Sequence, residues 1–213
     1  MCIRDRSKYV NAWKIGSGDI TYHEIIEKIS KEKKPILIAT GASNIKEIEN
    51  AIQIIQKNNN EIVIMQCNTN YTASIENLKY IQLNVLKLYA AMFPECILGL
   101  SDHTHGHVSV LGSISLGARV IEKHFTDNNN REGPDHKFAM NPKTWREMVD
   151  RSRELELCLG NKTKEVMLNE KDTVIVQRRA IRANKKIEKG TILNYQHFTF
   201  LRPCPESALP PYE

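Results

Sequence analysis

The sequence predicts an α/β protein with a parallel sheet, followed by a small β-rich module. Five short apolar or β-branched runs each precede a stretch with helical spacing, which is a repeated βα pattern. Three of these runs are almost wholly apolar, as expected of strands that are covered on both faces. With 213 residues, 41% of them apolar, the chain is long enough to bury a substantial core.

The five runs are the predicted strands, and each ends in small or polar residues. In chain order they span residues 12–16, 35–40, 61–67, 97–100 and 119–123. Helices are predicted between and after them from end caps and apolar stripes, over residues 21–30, 43–57, 74–92, 107–116 and 142–159. Ser43 is the predicted N-cap of the second helix, with Glu47 close behind it. Gly160 and Asn161 predict the end of the last helix.

A change in composition after residue 160 predicts a domain boundary. Residues 161–172 are strongly charged and are predicted to be a linker. Residues 173–213 are predicted to be the β-rich module, from the β-branched stretch 173–183 and the short apolar stretches 191–193 and 198–201. A few strands bury little surface alone, so this module is expected to be cut short and to pack on another surface.

Five βα units are fewer than a closed barrel needs. A (β/α)₈ barrel typically takes about 250 residues and eight strands, whereas residues 8–160 supply about five units. We therefore expect residues 8–160 to be part of a larger domain, and the chain to be an incomplete copy. Residues 1–7 fit neither a strand nor a capped helix and are expected to be a non-native leader.

Charge and cysteine content argue against several classes of protein. The formal net charge is +5, but basic residues are scattered among acidic ones instead of forming a stripe, which disfavours nucleic-acid binding. The five cysteines are widely spaced and form no CxxC pair, which disfavours a disulfide framework and a zinc ribbon and favours a reducing cytoplasm. No apolar run has the length of a membrane span, so no membrane segment is predicted.

Polar residues follow every predicted strand. In parallel βα architectures the ligand site gathers at these carboxyl ends. The ends read Gly16-Ser-Gly-Asp19, Thr40-Gly-Ala-Ser43, Cys67-Asn-Thr-Asn-Tyr71, Ser101-Asp-His-Thr104 and Glu122-Lys-His-Phe-Thr126. Backbone N–H groups and hydroxyls of this kind can hold an anion such as phosphate, although a single glycine turn is more often only a tight corner.

Two histidines, His103 and His124, follow consecutive strands. They are expected to lie close enough for one divalent cation, with Asp102 and Glu122 near them. Two ligands would leave open positions for water and substrate oxygens, which suits a metal that polarises a carbonyl or activates water. The alternative is two hydrogen-bonded histidines at a barrel rim. Asp135, in a loop after the fifth run, is either a turn residue or a ligand for sugar hydroxyls.

A second metal arrangement is open to the same stretch. His103, His105 and His107 could form an HxH zinc motif of a metal-dependent hydrolase. The small residues Gly99, Ser101 and Gly106 favour a strand end near Asp102, which would put the later two histidines in a loop and a helix cap. That arrangement is therefore the less favoured one.

Four motifs in sequence resemble the sialic acid synthase family, which includes N-acetylneuraminate, legionaminate and pseudaminate synthases. They are Lys14-Ile-Gly-Ser-Gly-Asp-Ile20, Gly99-Leu-Ser-Asp-His-Thr104, Val120-Ile-Glu-Lys-His-Phe-Thr126 and Gly133-Pro-Asp-His136. The resemblance implies a TIM barrel, of which this chain holds the C-terminal part, followed by a small antifreeze-like (SAF) domain. Residues 183–190 resemble a stretch of that SAF domain.

The resemblance also implies roles for individual residues. His103 and His124 match the two histidines that bind manganese or magnesium, and Glu122 matches the acidic residue beside the second of them. Six residues match substrate contacts: Ser17, Asn70, Tyr71, Ser101, Asp135 and Arg202. Of these, Ser17 and Ser101 would hold phosphoenolpyruvate, and Tyr71 and Asp135 would contact the acetamido sugar. The family's asparagine before the tyrosine matches Asn68, Thr69 or Asn70, and this choice stays open.

The activity implied is a condensation. Phosphoenolpyruvate and an N-acetylated hexose, either N-acetylmannosamine or a 2,4-diacetamido hexose, would give a nine-carbon 2-keto acid and phosphate. Arg202 matches an SAF-domain arginine that reaches the neighbouring subunit's barrel, which implies a domain-swapped homodimer. Apart from this function and the hydrolase, the third alternative is a non-catalytic fragment whose tail mediates association.

Overall fold

A computed structural model gives the fold, and it describes residues 7–58, 61–71 and 74–212. The chain divides into two compact units, residues 1–160 and 161–213, which are described separately. Most of the expected leader, residues 1–6, lies outside the described residues, and Ser7 begins a short 3₁₀ helix, Ser7–Tyr9.

The first unit is built on a five-stranded sheet. Its strands are β1 (Trp13–Ile15), β2 (Ile36–Ala39), β3 (Ile62–Cys67), β4 (Ile97–Asp102) and β5 (Val120–Lys123). They lie in the order β1-β2-β3-β4-β5, and every neighbouring pair is parallel. The predicted parallel α/β sheet is therefore confirmed. β4 continues two residues beyond the apolar run 97–100 and ends at Asp102, where the small residues predicted the strand end.

Five α-helices accompany this sheet. They are α1 (His23–Ser30), α2 (Ile45–Gln56), α3 (Val85–Met92), α4 (Val108–Ser115) and α5 (Pro142–Leu159). The last has the predicted bounds, because Asn141 forms a capping box with Thr144 and Gly160 ends it with a φ of 54°. Apolar side chains of α1, α2 and α3 pack on one face of the sheet to form the main core.

Two helix predictions are corrected by local hydrogen bonds. The N-cap of α2 is Asn44, not Ser43, because the Asn44 side chain accepts from the Glu47 N–H and the Glu47 carboxylate accepts from the Asn44 N–H. The Ser43 hydroxyl instead donates to the Gly41 carbonyl. Residues 74–92 are not one helix, since a 3₁₀ helix (Ile75–Tyr80) is separated from α3 by Gln82 with a φ of 53°.

The second unit has less strand than predicted. It contains a helix, α6 (Lys171–Gln177), and an antiparallel pair of strands, β6 (Ala180–Ala183) and β7 (Phe198–Leu201). The prediction of a strand over the first half of 173–183 is wrong, and residues 191–193 form no strand. The β-branched residues of α6 have no neighbouring strand to pair with, and strand preference depends on such packing.

Candidate functional site

The sheet of the first unit is curved, and this curvature builds the site. β1 and β5 are opposite edge strands, yet Lys14 Nζ of β1 lies 2.5 Å from Glu122 Oε2 of β5. A flat sheet would hold these strands about 19 Å apart, at roughly 4.8 Å a strand. The five strands therefore form an open half-barrel, and Lys14 and Glu122 meet on its concave face.

The concave face carries polar groups because side chains alternate along each strand. Leu98 and Leu100 of β4 belong to the helix-facing cores, so Ser101 points the other way. Ser101 and Glu122 are register partners on β4 and β5, and the Ser101 hydroxyl donates to Glu122 Oε2 at 3.0 Å. Burial alone would raise the pKa of the Glu122 carboxyl, but the bonds from Lys14 and Ser101 outweigh burial and hold this pKa below its ordinary value.

His103 and His124 lie beside each other at the rim of this face. Their ring centroids are 5.1 Å apart. The Tyr71 ring lies 4.2 Å from the His103 ring and 5.7 Å from the His124 ring, and Phe138 lies 5.1 Å from His124. The strand ends thus bring the two predicted metal-binding histidines together under a half-exposed tyrosine.

The His103 ring is held by backbone. Its Nδ1–H donates to the Asn68 carbonyl at 2.7 Å, and the Cys67 Sγ lies 3.9 Å from the same nitrogen. The Nε2 lone pair is consequently the one available to a metal. Burial alone would lower the pKa of His103, but the bonds to Cys67 and to the Asn68 carbonyl outweigh it and raise this pKa.

His124 is oriented by an acidic partner. Asp135 Oδ2 lies 3.4 Å from His124 Nδ1, which leaves Nε2 unclaimed by that carboxylate. Burial lowers the pKa of His124, and the opposing charge of Asp135 does not restore it, so the neutral imidazole that a metal requires is favoured. Two imidazoles whose Nδ1 atoms are held by other groups, with carboxylates close by, fit a divalent cation at their Nε2 atoms.

Ser17 joins the ends of β1 and β2. Its hydroxyl oxygen accepts from the Gly41 N–H at 2.9 Å, which leaves the hydroxyl hydrogen for another acceptor. A Cβ on Gly41 would lie 2.5 Å from Thr69 Cγ2, 2.9 Å from Ser17 Oγ and 3.1 Å from Cys67 Sγ. Glycine is thus required where three strand ends converge.

Gly41→Ala is expected to destabilise the chain by about 1–3 kcal/mol, because the added methyl group overpacks this junction. The free energy of unfolding, measured in urea, tests this expectation. Gly18→Ala is the matched control, since a Cβ on Gly18 meets nothing within 4 Å and the change should stay within about 0.5 kcal/mol. Equal effects of the two substitutions would contradict the prediction.

The loop after β3 carries the three candidates for the asparagine position. Asn68 Nδ2 donates to the Tyr80 carbonyl and Asn68 Oδ1 accepts from the Asn70 N–H. Asn70 Oδ1 accepts from Asn77 Nδ2 at 3.1 Å. Both amides therefore shape the loop that presents Tyr71, while Thr69 packs towards Gly41.

Two predicted residues of the first unit, His105 and His107, are not part of this cluster as the structure describes it. Arg202 belongs to the second unit, where it is exposed in the bend after β7. His105 is exposed, and His107 is the residue before α4. Across residues 7–58, 61–71 and 74–212, no three His, Cys, Asp or Glu side chains form a group that could hold a metal. The HxH arrangement is therefore absent there, and His103 and His124 are a pair of potential ligands without a third side chain of these types in place.

One residue at the site, Lys14, went unrecognised as functional from the sequence. Lys14 is part of the first motif. The feature that could have identified it is a charged side chain in the middle of a strand, between the core residues Trp13 and Ile15. Asp102 was expected near the histidines, but it turns to the helix-facing side, where it pairs with Lys123.

In the described part of the chain, no helix is long and apolar enough to cross a membrane.

A half-barrel with polar groups clustered at the carboxyl ends of its parallel strands is the arrangement typical of part of a (β/α) barrel. The sequence model of the NeuB family matches residues 6–164. The chain belongs to the NeuB family, and the resemblance to sialic acid synthases is confirmed.

Individual relatives agree with this assignment. The uncharacterized protein MJ1065 of Methanocaldococcus jannaschii is 38% identical over 91% of this chain and 57% of its own length. The N,N'-diacetyllegionaminic acid synthase of Campylobacter jejuni is 34% identical over 90% of this chain and 57% of its own length. The crystal structure of spore coat polysaccharide biosynthesis protein SpsE from Bacillus subtilis superposes with a TM-score of 0.68 at 29% identity, over 96% of this chain and 63% of that one. The chain thus spans little more than half the length of these curated relatives.

Proposed function

We propose that the chain is part of a sugar acid synthase that condenses phosphoenolpyruvate with an N-acetylated hexose and water. The products are a nine-carbon 2-keto sugar acid and phosphate. The observation that carries this proposal is the pairing of His103 with His124 beside the Lys14–Glu122–Ser101 cluster, in a chain of the NeuB family. The Campylobacter relative, named for N,N'-diacetyllegionaminic acid, supports a hexose with acetamido groups, either N-acetylmannosamine or a 2,4-diacetamido hexose.

His103 and His124 would hold a divalent cation, manganese or magnesium, through their Nε2 atoms. Bound there, the cation would polarise the aldehyde oxygen of the open-chain sugar. The remaining coordination positions fall to water and substrate oxygens. Asp135 would orient His124 and meet the sugar, and Tyr71, which covers both imidazoles, would pack against the acetamido group.

The concave face would bind the second substrate. Ser17 and Ser101 are hydroxyl donors, and Lys14 supplies the positive charge that an anionic phosphate or carboxylate requires. C3 of phosphoenolpyruvate would attack the aldehyde carbon, forming the new C–C bond as the carbonyl π electrons pass to the aldehyde oxygen, which takes up a proton, and C2 becomes cationic. Water would then add to C2, and phosphate would leave from the tetrahedral intermediate by C–O cleavage. Glu122, whose pKa is held low by Lys14 and Ser101, would be the ionised carboxylate that takes a proton from that water.

The second unit would be an SAF domain. Its exposed Arg202 would reach the acetamido group in the barrel of a partner subunit, which makes the working protein a domain-swapped homodimer. The condensation uses phosphoenolpyruvate, a metabolite of the cytoplasm, and the spacing of the cysteines favours that reducing compartment.

Phosphate release from phosphoenolpyruvate tests this function. The assay uses this chain of 213 residues and the full-length product of its gene, each with Mn²⁺ and either N-acetylmannosamine or a 2,4-diacetamido hexose. We expect sugar-dependent phosphate release by the complete gene product, lost on chelation with EDTA and restored by Mn²⁺. N-acetylglucosamine serves as the control sugar, because its C2 epimeric configuration misplaces the acetamido group.

Two outcomes would contradict the proposal. If the folded full-length protein releases no phosphate with any acetamido sugar, the synthase function is wrong and the non-catalytic alternative is favoured. Zinc-dependent hydrolysis that survives replacement of His124 would favour the hydrolase of His103, His105 and His107 instead.

A further inference from the structure

A buried ion pair lies directly behind the two histidines. Asp102 ends β4 and Lys123 ends β5, and the two residues are register partners. Lys123 Nζ lies 2.8 Å from Asp102 Oδ2, and their side chains are 1% and 0% exposed. Both share strand parity with the core residues Leu100 and Ile121, so they lie on the helix-facing side of the sheet, away from the substrate face.

Several hydrogen bonds surround this pair. Asp102 Oδ1 accepts from the Thr104 N–H at 2.8 Å, and Asp102 Oδ2 accepts from the hydroxyls of Thr104 and Ser109. Lys123 Nζ donates both to Asp102 Oδ2 and to the Thr104 carbonyl, each at 2.8 Å. A buried pair needs such bonds, because the loss of hydration is otherwise not offset.

The pair brackets the first histidine and adjoins the second. Residues 102 and 104 lie on either side of His103, and the Lys123 ammonium binds both of them. The next residue after Lys123 is His124. One ammonium group therefore fixes the backbone that carries His103 relative to the backbone that carries His124.

Stability alone is a weak reason for such a pair, because buried ion pairs can often be replaced by apolar residues at little cost. We propose that Asp102 and Lys123 are positioning residues that set the separation of the His103 and His124 imidazoles for a divalent cation, with Ser109 anchoring Asp102 to α4. This inference rests on the metal site of the proposed function. It concerns the helix-facing side of the sheet, opposite the face proposed to bind substrate.

Mn²⁺ binding, followed by electron paramagnetic resonance of the free ion, tests the inference on the full chain. Asp102→Asn keeps the shape of the side chain but removes the charge, and it should weaken Mn²⁺ binding about tenfold or more. Ser109→Ala removes one hydrogen bond to Asp102 and should weaken binding about threefold. Ser113→Ala is the matched control, because this buried hydroxyl on the same helix bonds only to the Val110 carbonyl and its loss should leave Mn²⁺ affinity unchanged.

Urea unfolding of each variant separates positioning from stability. The inference requires lower Mn²⁺ affinity in samples that are fully folded at the assay temperature. Unchanged Mn²⁺ affinity in folded Ser109→Ala would overturn the inference, and so would a loss of affinity in Ser113→Ala equal to that in Ser109→Ala. Both comparisons can be made even if Asp102→Asn does not fold. If His103→Ala and His124→Ala bind Mn²⁺ as tightly as the wild type, the metal site of the proposed function is wrong. If these two variants lose affinity but the Asp102 and Ser109 variants do not, only the positioning role is wrong.

Discussion

Replacing His103 by alanine is expected to lower sugar-dependent phosphate release by the complete gene product about a thousandfold or more. Polarisation of a carbonyl by a metal contributes several kcal/mol to a transition state, and about 4 kcal/mol corresponds to that factor. His103 is the better fixed of the two imidazoles, since its Nδ1 is bound by the Asn68 carbonyl. The rate is measured at saturating phosphoenolpyruvate and Mn²⁺, with His124→Ala as a parallel variant.

His105→Ala is the matched control for this experiment. His105 lies only two residues further along the same connection but is exposed. We expect its loss to leave the rate within about twofold, as for a surface substitution worth less than 0.5 kcal/mol. A His105→Ala variant as inactive as His103→Ala would contradict the pairing of His103 with His124.

Lys123→Met is expected to destabilise the chain by about 3–5 kcal/mol. The substitution leaves the Asp102 carboxylate buried without its cation, and an uncompensated buried charge carries a penalty of this size. The Thr104 carbonyl also loses a donor. The free energy of unfolding is measured in urea at pH 7.

A surface pair supplies the control for that measurement. Lys46 Nζ lies 3.7 Å from Glu49 Oε2 on α2, and the Lys46 side chain is 72% exposed. Lys46→Met should change the free energy of unfolding by less than about 1 kcal/mol, because exposed ion pairs are weak. A Lys123→Met variant no less stable than Lys46→Met would show that the buried pair contributes nothing net to folding.

Local patterns in the chain were sufficient for most of the first unit. The strands could be predicted because covered strands need continuous apolar runs, and α5 because Asn141, Pro142 and Gly160 mark its ends. The same reasoning failed where two neighbouring residues could both cap a helix. Asn44 and Ser43 are both good N-caps, but Glu47 lies three residues after Asn44, which is the capping-box spacing, and the structure forms that box while Ser43 bonds to the Gly41 carbonyl.

The candidate site divides in the same way. That His103 and His124 come together follows from the order of parallel strands, since consecutive strands end at the same edge. The contact of Lys14 with Glu122 could not be inferred, because these residues lie on opposite edge strands and meet only when the sheet curls. Sequence order fixes which strands are neighbours, whereas twist and helix packing set the curvature.

The amino-acid sequence alone therefore determined the βα order, the family and the two histidines, because apolar periodicity and strand-end motifs are local properties of the chain. Tertiary packing determined which charges pair. Asp102 turned away from the histidines to meet Lys123, and Asp135 came to His124 from a loop 11 residues further along. These contacts depend on side-chain parity across a curved sheet, a property that no single segment of the chain contains.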